Sequence, residues 1–198
     1  MFLIAAIVLV NLGAGVARPH LWGLLKEYQQ KRLTSFVNPY IDPRGSGYHI
    51  LQSLIAIGGG GIAGAGLGKG NQSQGAFIPE RHTDFIYAVI GEELGFKISA
   101  LVIVAYTIIC FRGVATAQQC AKSPTGSILA IGLTCLFLFH VFLNIGMTMG
   151  IMPVAGVPLP FLSYGGTALI VDLIAIAILQ SLQYGHPQQV ERSLQMRA

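Results

Sequence analysis

The residues best equipped for chemistry form one run, Pro79-Glu80-Arg81-His82-Thr83-Asp84. Two carboxylates, a guanidinium and an imidazole within five positions can grip an anion or move a proton. The run ends where an apolar helix begins, so a plainer reading also stands: Thr83 or Asp84 caps that helix by accepting hydrogen bonds from its free N–H groups. Glu80, Arg81 and His82 would then be an interfacial polar band. Placement favours chemistry. A carboxylate at a membrane face, partly shielded from water and flanked by Arg81 and His82, is suited to deprotonating or holding a lipid-linked headgroup.

Further ionisable groups follow on the apolar segments. On an unbroken helix Glu93 lies opposite Asp84 and precedes Lys97 by four, the favourable orientation for an ion pair, so it reads as structural. Glu92 falls about 80° from Asp84 at 100° per residue and is divided between a cavity residue and a packing partner. His140 and Asp172 lie within apolar runs, where ionisable side chains are costly and mark functional sites by default. The reading preferred here is that they bond each other or nearby polar groups and join helices. The stretch from Pro153 to Gly166 has three prolines and no charge. It reads as a stiff apolar connection with hydroxyls at Ser163 and Tyr164, able to shape a groove for a lipid tail.

The glycine run from Gly58 to Gly70 invites a nucleotide-binding reading and fails it. A phosphate loop needs a glycine five residues before Gly68-Lys69 and a Ser or Thr after the lysine; the chain has Ala63 and Gly70. Close backbone packing is the better account. Asn71-Gln72-Ser73 matches a glycosylation sequon, a pattern too short to carry weight.

What must position these residues is set by composition. The 198 residues are 53% hydrophobic and 10% charged, with a mean hydropathy of +0.64. Soluble domains carry roughly 25% charged residues. An ordinary soluble enzyme, a disordered tail and a nucleic-acid-binding module are therefore excluded, despite a formal charge of +4. Cys110, Cys120 and Cys135 lack paired spacing, so neither a disulfide framework nor a zinc site is indicated. The expected fold is an all-α integral membrane protein, one domain over 1–198. Four transmembrane helices are expected at about 1–17, 85–111, 126–144 and 165–182, with a long external segment over 18–84. Residues 1–17 lack the basic start of a signal peptide and are read as a helix that begins without a flank. In the second helix the clean core from Ile98 to Phe111 is only about 21 Å long, so it must extend back through Glu92 and Glu93 to cross.

Short loops fix the sidedness. Residues 112–125 carry Arg112 and Lys122 and no acid, whereas 145–162 carry no charge. The first loop and the C-terminus are therefore expected in the cytoplasm, and 145–162 and 18–84 outside. Seven basic residues in 18–84 then imply an anionic substrate or lipid headgroups. The uncharged stretch 50–67 holds six glycines. Such backbone survives at membrane depth only when buried in protein or lining a cavity, so it is read as re-entrant or interfacial.

A resemblance sharpens the reading. Asp42-Pro43 with Gly45-Ser46-Gly47-Tyr48, Gln52-Ser53 with Ile55-Ala56-Ile57-Gly58, Gln72-Ser73-Gln74, Pro79 to Ile86, Glu92-Glu93-Leu94-Gly95, Asn144-Ile145-Gly146-Met147 and Pro158 to Gly166 occur together and in order. Their combination resembles the SEDS family (shape, elongation, division and sporulation), which includes RodA and FtsW, over nearly the whole chain. Gln-Ser-Gln followed by Pro-Glu-Arg-His-Thr-Asp is closer to the RodA branch; in FtsW, Ala usually follows that Glu.

The resemblance implies an inverting glycosyltransferase of the bacterial cytoplasmic membrane that polymerises lipid II into glycan strands during cell elongation. A class B penicillin-binding protein would be its partner, and polyprenyl-diphosphate-linked glycan its substrate and product. Asp84 matches the family's catalytic aspartate, the expected general base. Lys69 and Arg81 would offset diphosphate charge, and Gln72, Ser73, Gln74, Glu80, His82, Thr83, Glu92, Ser163 and Tyr164 would bind substrate. No cofactor is implied with certainty and no metal ligand is assigned; a divalent cation stays open. Family members have about ten transmembrane helices against four here, matching their C-terminal part, and Asp172 stands where the family usually has Asn. Three other readings therefore remain: a non-catalytic fragment that binds a penicillin-binding protein, a lipid II transporter, or an inert gene product.

Overall fold

The computed structural model describes residues 26–42, 45–75, 77 and 82–195, with no side-chain description for Lys122 or beyond Tyr184. The expected helix over 1–17 lies outside these residues, as do Pro79, Glu80 and Arg81. Every regular element among the described residues is helical: α1 (Glu27–Val37), α2 (Ser46–Gly60), α3 (Asn71–Gln74), α4 (Ile86–Gln119), α5 (Pro124–Thr148) and α6 (Gly166–Gln195).

The chain divides after Tyr48 into two compact units. In the first, α1 ends at Asn38, whose side chain accepts the Tyr40 N–H and opens a single 3-10 turn, Pro39–Ile41. Asp42 then starts α2 by accepting the Ser46 N–H at 3.1 Å. Gly47 lies so close to the Pro39 carbonyl that no side chain fits there.

Three helices of the second unit are long and apolar enough to cross a membrane: Ile86–Gln119, Pro124–Thr148 and Gly166–Tyr184. They occupy the expected second, third and fourth positions. The second is longer than expected and differently built, because Gly95 at φ 74°, ψ −175° breaks it. The part beyond the break, Phe96 to Gln119, is about 36 Å long at 1.5 Å per residue and crosses without Glu92 and Glu93. Continuation through Arg112 to Gln119 supplies the length that was expected from the other end.

The break is sealed by the glycine run. On a regular helix the Glu92 and Glu93 carbonyls would accept from residues 96 and 97. Here they accept from Ala65 and Gly66, both at 2.9 Å, while Phe96 and Lys97 donate to Gly61 and Ile62. All four backbone groups released by the kink thus find partners, as buried backbone must. Backbones can approach this closely only without side chains. A Cβ at Gly60 would overlap the Gly91 carbonyl, one at Gly64 the Glu93 carbonyl, and one at Gly95 the Gly64 nitrogen. The run serves close packing, as its failed phosphate-loop spacing suggested.

Membrane helices gain little from burying apolar surface in each other and associate through small-residue contacts, dispersion and hydrogen bonds. Gly113 of α4 meets the Thr134 side chain of α5. Tyr106, Phe137 and Phe161 then form a tilted aromatic chain with centroids 5.8 and 5.9 Å apart. At the opposite end of α4 from Asp84, the Cys120 thiol reaches the Leu182 carbonyl at 3.6 Å. The start of α4, the end of α5 and the start of α6 therefore share one end of the bundle. The α2 helix, about 22 Å long, is too short to span. It packs at that same end, where Ser53 Oγ donates to the Thr148 carbonyl at 2.5 Å and His49 stacks on Phe85.

Candidate active site

Asp84 lies in the turn that leads into α4, whose N-cap is Phe85 without a side-chain cap bond. The expected capping by Thr83 or Asp84 is not what fixes this turn. Three other contacts hold it by its backbone. Buried Asn144, near the end of α5, donates from Nδ2 to the Asp84 carbonyl at 2.8 Å and to the Val157 carbonyl at 2.7 Å. Ser163 Oγ donates to the Thr83 carbonyl at 2.5 Å while accepting the Leu159 N–H at 2.6 Å. The Tyr164 N–H donates to the His82 carbonyl at 2.8 Å. Three consecutive peptides, 82 to 84, are thereby pinned to the Val157–Tyr164 connection.

The Asp84 carboxylate rests over Gly156, where an added Cβ would lie 3.4 Å from Oδ2. Gly156 has φ +68°, a conformation glycine adopts at little cost. Beside this turn opens a groove of about 430 Å³ lined by His82, Ile86, Phe161, Ser163, Tyr164 and Leu169, among others. Mostly apolar walls with a few polar groups suit an amphiphile with a polar head.

Asp172 and Tyr106 bond the backbone beside Phe161, which lines this groove. Phe161 has φ 63°, the left-handed region, and its N–H donates to Asp172 Oδ2 at 3.2 Å. Tyr106 donates to the neighbouring Pro160 carbonyl at 2.6 Å, and His140 lies within electrostatic reach of Asp172. Polar groups of α4 and α6 thus converge on one turn, the joining role expected for Asp172. Asp172→Asn keeps an acceptor for the Phe161 N–H and is expected to change stability by less than about 1 kcal/mol. Asp172→Leu strands that N–H and should cost about 1–3 kcal/mol. Thermal unfolding in detergent micelles measures both.

A second group of candidates gathers along α4, roughly 11 Å further on. Glu92 is buried and accepts the Gln72 N–H at 2.7 Å and the Ser73 N–H at 2.9 Å. Glu93 accepts the Gly68 N–H at 3.0 Å, the Ser73 hydroxyl at 3.0 Å and the Gln74 amide at 3.5 Å. The structural role expected of Glu93 holds, with a different geometry: the Gly95 break interrupts the helix on which it and Lys97 would have been paired. Lys69 and Gln74 are exposed on the same segment, and Gln72 is half-buried.

The candidates thus fall into two groups, His82, Thr83 and Asp84 with Ser163 and Tyr164, and Lys69 to Gln74 with Glu92. Asn144 and Gly156 had not been singled out as site residues. An Asn in an otherwise apolar helix was the available signal, since a buried amide must find partners. Among the described residues no three His, Cys, Asp or Glu side chains form a metal-binding group.

The family model for the FtsW/RodA/SpoVE cell cycle proteins matches residues 1–187. The chain belongs to that family. Within the FtsW/RodA/SpoVE group it is 45% identical over 177 residues to the peptidoglycan glycosyltransferase MrdB of Escherichia coli K12, covering 89% of this chain and 47% of that protein. It is 43% identical over 152 residues to the stage V sporulation protein E of Bacillus subtilis, covering 77% and 41%. With the peptidoglycan glycosyltransferase RodA of Treponema pallidum the identity is 42% over 159 residues, covering 80% and 36%. A solved chain from a peptidoglycan synthase complex that coordinates polymerisation and crosslinking superposes with a TM-score of 0.66 at 29% identity, covering 89% of this chain and 48% of that one. The chain spans about half the length of these relatives or less.

Proposed function

We propose that this chain carries the reacting end of a peptidoglycan glycosyltransferase of the RodA type, with Asp84 as its general base. The observation that carries the reading is the pinning of peptides 82 to 84 beside an apolar groove, because a base must be held still relative to a bound substrate. The 4-hydroxyl of the acceptor sugar attacks the anomeric carbon of a lipid-linked donor as Asp84 takes its proton. The new glycosidic bond forms as the bond to the diphosphate breaks, with inversion, and polyprenyl diphosphate leaves. Lys69, on the glycine segment, and Arg81 supply positive charge for the departing diphosphate. The donor lipid follows the groove between Phe161 and Leu169. Lipid II is the substrate that fits these requirements and the names of the relatives.

The proposed setting is the bacterial cytoplasmic membrane, with the Asp84 end outside and the C-terminus in the cytoplasm. A class B penicillin-binding protein is the proposed partner, a reading supported by the synthase complex among the solved relatives. The test is glycan-strand formation from labelled lipid II in liposomes, with and without that partner. Polymer that depends on Asp84 supports the reading; folded protein that makes none in either setting overturns it.

A further inference from the structure

The geometry points to Glu92 as a positioning residue that holds the Gly64–Gln74 segment, and with it Lys69 and Gln72, in register with the helix that starts beside Asp84. The inference rests on the reading of that segment as part of the donor site. A four-residue helix such as α3 does not form alone. Its first turn is fixed from outside, by a carboxylate that is 4% exposed and whose two oxygens each take one backbone N–H. Gly70 admits this contact, since a Cβ there would lie 2.6 Å from Glu92 Oε2. A buried carboxylate needs such charge-assisted bonds to be tolerated, so helix and segment are bound together at the side chains of 92 and 93 as well as at their carbonyls.

The two glutamates differ in what they can lose. Both partners of Glu92 are backbone N–H groups, which cannot turn round. An amide there must point its NH2 at one of them, so Glu92→Gln is disruptive although nearly isosteric. Two of the Glu93 partners are the Ser73 hydroxyl and the Gln74 amide, which can act as donor or acceptor, so Glu93→Gln can reorganise. A shortened carboxylate in Glu92→Asp keeps two acceptors.

The experiment places the full chain in lipid nanodiscs and reads amide hydrogen exchange at Gln72 and Ser73 together with the Kd of a titrated polyprenyl diphosphate. Glu92→Gln is expected to speed exchange at both amides and to weaken binding, each by about tenfold or more. Glu92→Asp should fall between it and the parent, and Glu93→Gln should stay within about threefold of the parent. Unchanged exchange or Kd in Glu92→Gln, or an equal effect of Glu93→Gln, overturns the proposal. Neither readout needs turnover. Full activity of an Asp84→Asn variant would therefore remove the catalytic reading while leaving this result to stand or fall separately.

Discussion

Asp84→Asn is expected to slow glycan-strand formation by at least about a hundredfold without loss of folded protein. The substitution is nearly isosteric and leaves untouched the peptide bonds by which residues 82 to 84 are held, since Asn144, Ser163 and the Tyr164 N–H contact only main-chain carbonyls. What disappears is the basic oxygen, because a carboxamide does not take a proton near neutral pH. Labelled lipid II in liposomes measures the rate, and thermal unfolding checks that the protein is intact. A variant within about threefold of the parent would mean that the proton goes to another group.

Asn144→Leu should combine loss of stability with loss of activity. Asn144 is fully buried, and its two amide hydrogens are both used, on carbonyls from segments 73 residues apart in the chain, Asp84 and Val157. Leucine fills similar space and supplies no donor, leaving two part-buried carbonyls without their amide partner at up to about 1–3 kcal/mol each. A fall in Tm of roughly 5–15 °C is expected. Strand formation should drop nearly as far as in Asp84→Asn, because the proposed base loses its anchorage. Asn144→Asp should be at least as damaging, since it sets acceptors against acceptors. A Tm and rate equal to the parent's in both variants would show that the turn is held without Asn144.

Much of this arrangement was legible in the residues. A charged cluster in a chain with so few charges stands out, and apolar length alone locates the three described membrane helices. The glycine run announced close packing because its phosphate-loop spacing was wrong. What the pattern concealed was the break at Gly95. Periodicity treats Glu93 and Lys97 as successive-turn neighbours, and nothing local shows that a glycine 35 residues before Phe96, Gly61, will take the Phe96 N–H. The role of Ser163 was hidden for a related reason. Its hydroxyl looked available to substrate, whereas its acceptor, the Thr83 carbonyl, lies 80 positions away. Glu92 was divided between cavity and packing because a buried carboxylate is compatible with either until its donors are known.

The bonds that pin the Asp84 turn also carry a timetable. Asp84 leaves the ribosome well before Asn144 and Val157, and the Ser163 hydroxyl that holds Thr83 comes 80 residues after it. At about 5–20 residues per second, the turn waits roughly 4–16 s for the Ser163 and Tyr164 fastenings. During that interval α4 is already in the bilayer with the Asp84 turn still unfastened. A nascent chain arrested before Ser163 should therefore carry Asp84 on an unfastened turn, so that the turn is set only once α6 begins to enter.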